Sequence, residues 1–208
     1  MGVNMCGRFY IDDQMINEME KIFTKMDQKK SEVNSTGKDC TPKKGEVFPS
    51  ECSYMVRQED NDRIAITTGF FGYQNPYKNG LLINAKSETV MEKPTYKYDF
   101  EKRRCVVPVA GYYEWLHKKD SASEPKNKSD KFFFYGQSSI IYLAGIYHED
   151  RFVILTTAAN EHVKKIHDRM PLILFKEEVE EYISSLETAK QYLMKRCVIQ
   201  NIEKCVIE

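Results

Sequence analysis

The sequence predicts an α+β fold, mixed and mainly antiparallel in its β structure, with helices at the periphery. Two observations lead there. Short apolar runs rich in β-branched and aromatic residues recur along the chain, bounded by Gly, Pro, Asn and Asp. Helical spacing is confined to a stretch near the start and to the region after residue 160. With 208 residues, 41% of them hydrophobic and 12% aromatic, the chain can bury one substantial core, so a single domain over residues 1–208 is expected.

In chain order, "GRFYID" is strand-like. From Gln14 to Lys25, Met15, Ile16, Met19, Ile22 and Phe23 fall at helical spacing between charged residues, predicting an amphipathic helix. Residues 27–45 are polar and lysine-rich, and predict a long loop. "EVFPSECSYMVRQ" and "RIAITTGFFGY" read as strands, "NPYKNG" as a turn, "LLINAKSETV" as a strand with a polar end, and "CVVPVAGYYEWL" as one short extended segment. "HKKDSASEPKNKSDK" reads as a flexible hairpin tip. Three further strands are expected in "FFFYG", "IIYLAGIY" and "FVILTTAAN", the last feeding a helix near Asn160. "KEEVEEYISS" and "TAKQYLMKR" predict helical turns before a final strand in "CVIQNIEKCVI". There is no internal repeat.

Thirty-one basic residues balance thirty-one acidic ones, which argues against coating nucleic acid or anionic membrane by bulk charge; any polyanion site must be local. No apolar stretch approaches the roughly 20 residues of a membrane helix, and the start lacks the basic and apolar regions of a signal peptide. A cytoplasmic location and no membrane partner are therefore expected. In a reducing cytosol the six cysteines are expected as free thiols, mostly buried. Without any C-x-x-C pair they predict no structural zinc, and no metal or organic cofactor is indicated.

Several reactive residue types lie where predicted strands end. They are Cys6 in "MCGRF", Asn84 in "INAKSET", Glu114 in "GYYEW" and His167 in "KKIHDRMP". A thiol, an amide, a carboxylate and an imidazole form a nucleophile, an orienting group and an acid/base pair. Bland alternatives stand beside each: Cys6 as a small buried residue, Glu114 as a structural ion pair, His167 as a solvated histidine, Asn84 as a turn residue. Arg8 and Arg169 as surface ion pairs, and Tyr112, Tyr113 and Trp115 as core, are equally ordinary readings.

In order from Met5 to Pro171, "MCGRF", "INAKSET", "RRCVVPVAGYYEW", "LTTAAN" and "IHDRMP" resemble the SRAP family of SOS-response-associated peptidases and hydroxymethylcytosine-binding ES-cell-specific-like proteins. The resemblance implies a β-barrel-like fold and a monomeric sensor of abasic sites in single-stranded DNA, associated with the nucleoid when bound. It implies that an N-terminal cysteine traps the sugar aldehyde as a thiazolidine. Matched residue by residue, it assigns the nucleophile to Cys6, its positioning amide to Asn84, the carboxylate to Glu114 and the imidazole to His167. It assigns DNA contacts to Arg8, Lys86, Phe71 and Arg169. Lys86 stands where the family commonly has Arg, offering a point charge instead of a fork. Phe71-Gly72 stands for a Trp-Gly pair, a smaller stacking surface. The family's Tyr-Asn-x-x-Pro segment is not recognisable in "KDCTPKKGEVFP".

The chemistry is consistent with those roles. A neutral primary amine adds to an aldehyde to give an imine, and an adjacent thiol closes a five-membered ring. Only a cysteine at a chain terminus offers both groups. An α-amine with a pKa near 8 is about one-tenth neutral at pH 7, so a nearby base helps. "MGVN" precedes Met5 here as an extension before the functional N-terminus, so Cys6 becomes terminal if translation starts at Met5 and that residue is removed, the favoured reading, or if the upstream residues are cleaved, by the chain itself or otherwise. The two rival functions are a thiol peptidase using Cys6 and His167, and a noncatalytic nucleic-acid reader.

Overall fold

The computed structural model describes residues 7–26, 40–59, 63–117, 129–194 and 201–204. Strand β1 (Arg8–Ile11) leads into helix α1 (Asp13–Met26). Asp12 caps that helix, its Oδ1 accepting from the Met15 N–H at 2.7 Å. Met15, Ile16 and Met19 are buried and Ile22 packs against the core, as the periodicity predicts. The following strands are β2 (Gly45–Val47), β3 (Cys52–Gln58), β4 (Ile64–Phe71), β5 (Tyr73–Gln74), β6 (Leu81–Leu82) and β7 (Asn84–Lys86). After helix α2 (Pro94–Lys102) come β8 (Arg104–Val109), β9 (Gly111–His117), β10 (Ser129–Tyr135), β11 (Ile141–His148), β12 (Arg151–Ala158), β13 (Arg169–Pro171) and β14 (Ile173–Leu174). Helices α3 (Val179–Ser184) and α4 (Leu186–Tyr192) precede β15 (Asn201–Lys204).

Two sheets carry the fold. One has five strands in the order β15-β10-β9-β1-β2; the other has eight, with β13-β12-β4-β3-β8-β11-β14 in line and β7 paired beside β12. Pairing is antiparallel except that β12 runs parallel to β4 and to β7 among the described residues. The predicted α+β, mainly antiparallel class with peripheral helices is what the chain forms.

Several segments divide where the sequence suggests continuity. "CVVPVAGYYEWL" becomes two strands in different sheets: β8 is buried at every residue between β3 and β11, and the chain crosses at Ala110, whose N–H donates to Tyr10 O at 2.8 Å. "EVFPSECSYMVRQ" divides likewise, β2 joining the smaller sheet and β3 the larger, around a turn with Ser50 at φ 75°. "LLINAKSETV" breaks at Ile83, so β6 pairs with β5 and β7 with β12. The helix expected near Asn160 is a single 3-10 turn, Val163–Lys165, because the chain must return within ten residues to pair Arg169 with Ala158. Helix α2 was not foreseen, although Pro94 at its first turn and Tyr96, Asp99 and Phe100 on its buried face are helical signals. The expected hairpin tip and the lysine-rich loop fall mainly in residues 118–128 and 27–39, outside the described residues.

Cysteine pairing also departs from expectation. Cys40 and Cys52 form a disulfide, with Cα atoms 5.8 Å apart. The approach is set by the backbone, since the Lys43 N–H donates to Cys52 O at 3.1 Å and lays this segment along the start of β3. Cys105 is a buried free thiol whose pKa burial pushes up. No described helix is long and apolar enough to cross a membrane.

Arg104 ties the periphery to the larger sheet. Its buried guanidinium donates to Phe100 O, Glu101 O, Tyr182 O and Ile183 O at 2.8–2.9 Å, joining the end of α2 to α3. Burial holds its pKa below the usual arginine value. Arg104→Ala strands these carbonyls and is expected to destabilise the protein by about 3–5 kcal/mol, read as a lower midpoint in urea unfolding.

Candidate nucleic-acid interface and reactive site

Alternation in β9 sorts its residues onto two faces. Tyr112 and Glu114 point inward, each 1% exposed, whereas Tyr113, buried beneath its neighbours, and the partly exposed Trp115 lie on the other side. The register Arg8↔Tyr113↔Phe133 and Tyr10↔Gly111↔Tyr135 aligns the outer faces of β1, β9 and β10. Tyr10, Tyr113, Phe133 and Tyr135 form a ring cluster with centroids 4.9–6.5 Å apart. Gly111 makes it possible, because a Cβ there would lie 2.4 Å from the Phe133 ring.

Cations edge this aromatic face. The Arg8 guanidinium lies 4.3 Å from the Phe48 ring centroid and 4.8 Å from that of Trp115. Lys131 Nζ sits 3.9 Å from the Tyr113 ring centroid. Both cations share the Glu46 carboxylate, Arg8 at 3.5 Å and Lys131 in close ion contact, leaving one positive charge in excess. Of these positions the sequence reading singled out Arg8, and it read Tyr113 and Trp115 as core, which Tyr113 at 8% exposure is; Tyr10, Phe48, Phe133, Tyr135 and Lys131 escaped it, although the alternation in "GYYEW" and "KFFFY" was an available signal.

A second group gathers on the larger sheet. The register Lys86↔Thr156↔Pro171 joins β7, β12 and β13, with Asn84 opposite Ile154 and Arg169 opposite Ala158 farther along β12, and His167 two residues ahead of Arg169. Helix α2 braces the first of these, the Tyr96 hydroxyl donating to Asn84 O at 3.2 Å. Lys86 is exposed. Arg169 is held by a two-pronged bond to Glu88, Nη1 to Oε1 at 2.5 Å and Nη2 to Oε2 at 2.8 Å, and Nη2 also donates to Thr156 O at 2.6 Å. Hydrogen bonding from Arg169 holds the Glu88 carboxyl below its ordinary pKa. That pairing is present at neutral pH and is lost on acidification through the lowered value.

The His167 side chain is 13% exposed. Its Nδ1 accepts from the Arg169 N–H at 3.1 Å and lies 3.1 Å from Asp168 Oδ1. A single nitrogen cannot accept from one and donate to the other. The first contact suits the ring with its proton on Nε2, the second a ring that carries its proton on Nδ1.

Of the residues singled out in the sequence, Arg8 and Glu114 stand on the smaller sheet, and Asn84, Lys86, His167 and Arg169 on or beside the larger. Cys6 lies outside the described residues, adjoining Gly7. Phe71 corrects an expectation: it is fully buried, tilted against Phe9 at 5.3 Å and stacked on Phe152 at 5.5 Å, so it offers no face to a base. Inward alternation of β4 puts it there.

Solved structures share this fold. A phage-related protein from Bordetella bronchiseptica superimposes with a TM-score of 0.73 at 19% identity, over 98% of this chain and 95% of that one. A protein from Bacteroides thetaiotaomicron gives 0.71 at 20% identity, over 98% and 92%. The chain belongs to the SOS response associated peptidase (SRAP) family, whose profile matches residues 5–207. The abasic site processing protein YoqW of Bacillus subtilis is 28% identical over 91% of this chain and 84% of its own length. YoaM of the same organism, also named an abasic site processing protein, is 32% identical over 54% of this chain, which spans about half of that relative's length (51%). The abasic site processing protein HMCES of Gallus gallus is 28% identical over 54% of this chain and 40% of its own length.

Proposed function

We propose that this chain binds single-stranded DNA at abasic sites and captures the sugar aldehyde covalently through Cys6. The observation that carries the reading is the aromatic face edged by Arg8 and Lys131, on strands that also present Glu114 to the interior. Aromatic rings beside cations suit unpaired bases and backbone phosphates, which a chain of zero formal net charge must bind locally. The Arg8↔Tyr113 pairing brings the start of β1 beside β9, one residue short of Glu114.

The Cys6 α-amine attacks C1′ of the ring-opened sugar; the carbinolamine loses water to give an imine. The Cys6 sulfur then adds to the imine carbon, the thiol proton passes to nitrogen, and a thiazolidine forms with net release of one water. Glu114 takes a proton from the amine or thiol, and His167, its Nε2 carrying hydrogen, assists opening of the sugar ring. Asn84 orients the reacting cysteine, and Lys86 attracts phosphate as an exposed point charge. Holding the aldehyde beside both nucleophilic atoms supplies a proximity advantage that reaches about 7–11 kcal/mol in well-oriented cases. The protein acts as a monomer and needs no metal or organic cofactor.

The test is incubation with an oligonucleotide bearing one abasic site, followed by denaturing electrophoresis; absence of a shifted band with protein that begins at Cys6 overturns the reading. Noncovalent affinity, measured with Cys6→Ala, is expected to fall with salt along a slope of about −0.7 per phosphate contacted. Lys131→Met should flatten that slope by about 0.7, and Trp115→Ala should cost about 1–3 kcal/mol if a base stacks there.

A second reading follows from the residues ahead of Cys6. Hydrolysis of the Met5–Cys6 bond by the chain itself would free the amine and give the family's peptidase name a substrate. Intact-mass measurement decides: wild-type protein starting at Cys6, with Cys6→Ala retaining Met1–Met5 in the same host, supports self-cleavage.

A further inference from the structure

Glu88 belongs to none of the roles assigned above, yet it is the anion on which the larger-sheet group is built. It sits in the turn after β7, where the Ser87 N–H donates to Thr156 O at 2.8 Å and the Thr89 N–H to Lys86 O at 3.1 Å. The Thr156 carbonyl is thus a junction, accepting from Ser87 and also from Arg169 Nη2 at 2.6 Å. Glu88 closes the arrangement by gripping both terminal nitrogens of Arg169. The Arg169 backbone N–H in turn is the donor to His167 Nδ1 at 3.1 Å.

We propose that Glu88 is a positioning residue, which fixes Arg169 and through its backbone decides which nitrogen of His167 faces the reacting sugar. The inference rests on the cross-linking role of His167 given above. With Nδ1 committed to the Arg169 N–H, the ring keeps its proton on Nε2, the form able to donate to a sugar oxygen. Without Glu88 the Arg169 guanidinium keeps only its Thr156 bonds, the end of β13 loosens so that the Arg169 N–H holds Nδ1 less firmly, and Asp168 Oδ1, already 3.1 Å away on a side chain 86% exposed, becomes the competing partner that draws the proton to Nδ1. Arg169 is not a free phosphate ligand in this state: a DNA phosphate reaching its fork must displace Glu88.

The experiment pairs ring 15N spectra of His167 with single-turnover cross-linking, in protein beginning at Cys6. Wild type is expected to show the Nε2–H tautomer. Glu88→Gln should give a mixture and cross-link about tenfold more slowly, as small misplacements of acting groups do, with noncovalent DNA affinity unchanged or raised. Glu88→Asp, which keeps the charge, should recover most of the rate. An unchanged ring spectrum in Glu88→Gln overturns the proposal whatever the rate does. A tautomer change in a protein whose wild type leaves abasic oligonucleotide unmodified would instead defeat the cross-linking reading and leave the Glu88–His167 coupling standing.

Discussion

Protein whose first residue is Cys6 is expected to convert abasic single-stranded oligonucleotide to an adduct that survives denaturing electrophoresis, and Cys6→Ala to form none. The effect is all or none because ring closure consumes both functional groups of one residue. Cys6→Ser separates the two: its amine still forms an imine, but no thiol is present to close the sulfur ring, so the link should survive only if reduced by borohydride. Protein retaining Met1–Met5 has an amide nitrogen at Cys6, whose lone pair is delocalised into the carbonyl, and should also fail. The rate should climb from pH 6 toward pH 8 as the neutral fraction of an ordinary α-amine, pKa near 8, increases. A stable adduct from Cys6→Ala would show that another nucleophile is responsible.

Glu114→Gln is expected to slow adduct formation by about 10²–10³-fold without loss of fold, within the range for removing a positioned acid or base. The side chain is 1% exposed, so the near-isosteric amide fills the same space and leaves no cavity. An amide can donate and accept hydrogen bonds but cannot take a proton from amine or thiol. The measurement is single-turnover cross-linking together with the thermal midpoint. A wild-type rate with a depressed midpoint would make Glu114 a structural residue, the ordinary reading of a buried carboxylate between aromatic neighbours.

The elements that the sequence predicted well are those whose signal is local. Helix α1 carries its apolar stripe in Met15, Ile16 and Met19, and β10, β11 and β12 carry apolar runs bounded by turns. The misses involve long-range choices. Nothing local in "VVPVAGYY" says that the chain changes sheets at Ala110; that follows from Ala110 donating to Tyr10, one hundred residues earlier in the sequence. The Cys40–Cys52 bridge likewise depends on a segment lying beside β3, which spacing alone does not reveal.

By itself the sequence determined the residue types and their order, and with them the family: a cysteine after a methionine, an amide, a carboxylate and an imidazole in separate motifs. Tertiary structure alone decided which side chains can serve. It withdrew Phe71 into the core, gathered Tyr10, Trp115 and Phe133 from three strands into a face edged by Arg8 and Lys131, and placed Glu88 on Arg169. The physical reason is that reactivity and affinity depend on exposure and on separations of a few ångströms. Those are set by sheet register across the whole chain, while a motif records only neighbours along it.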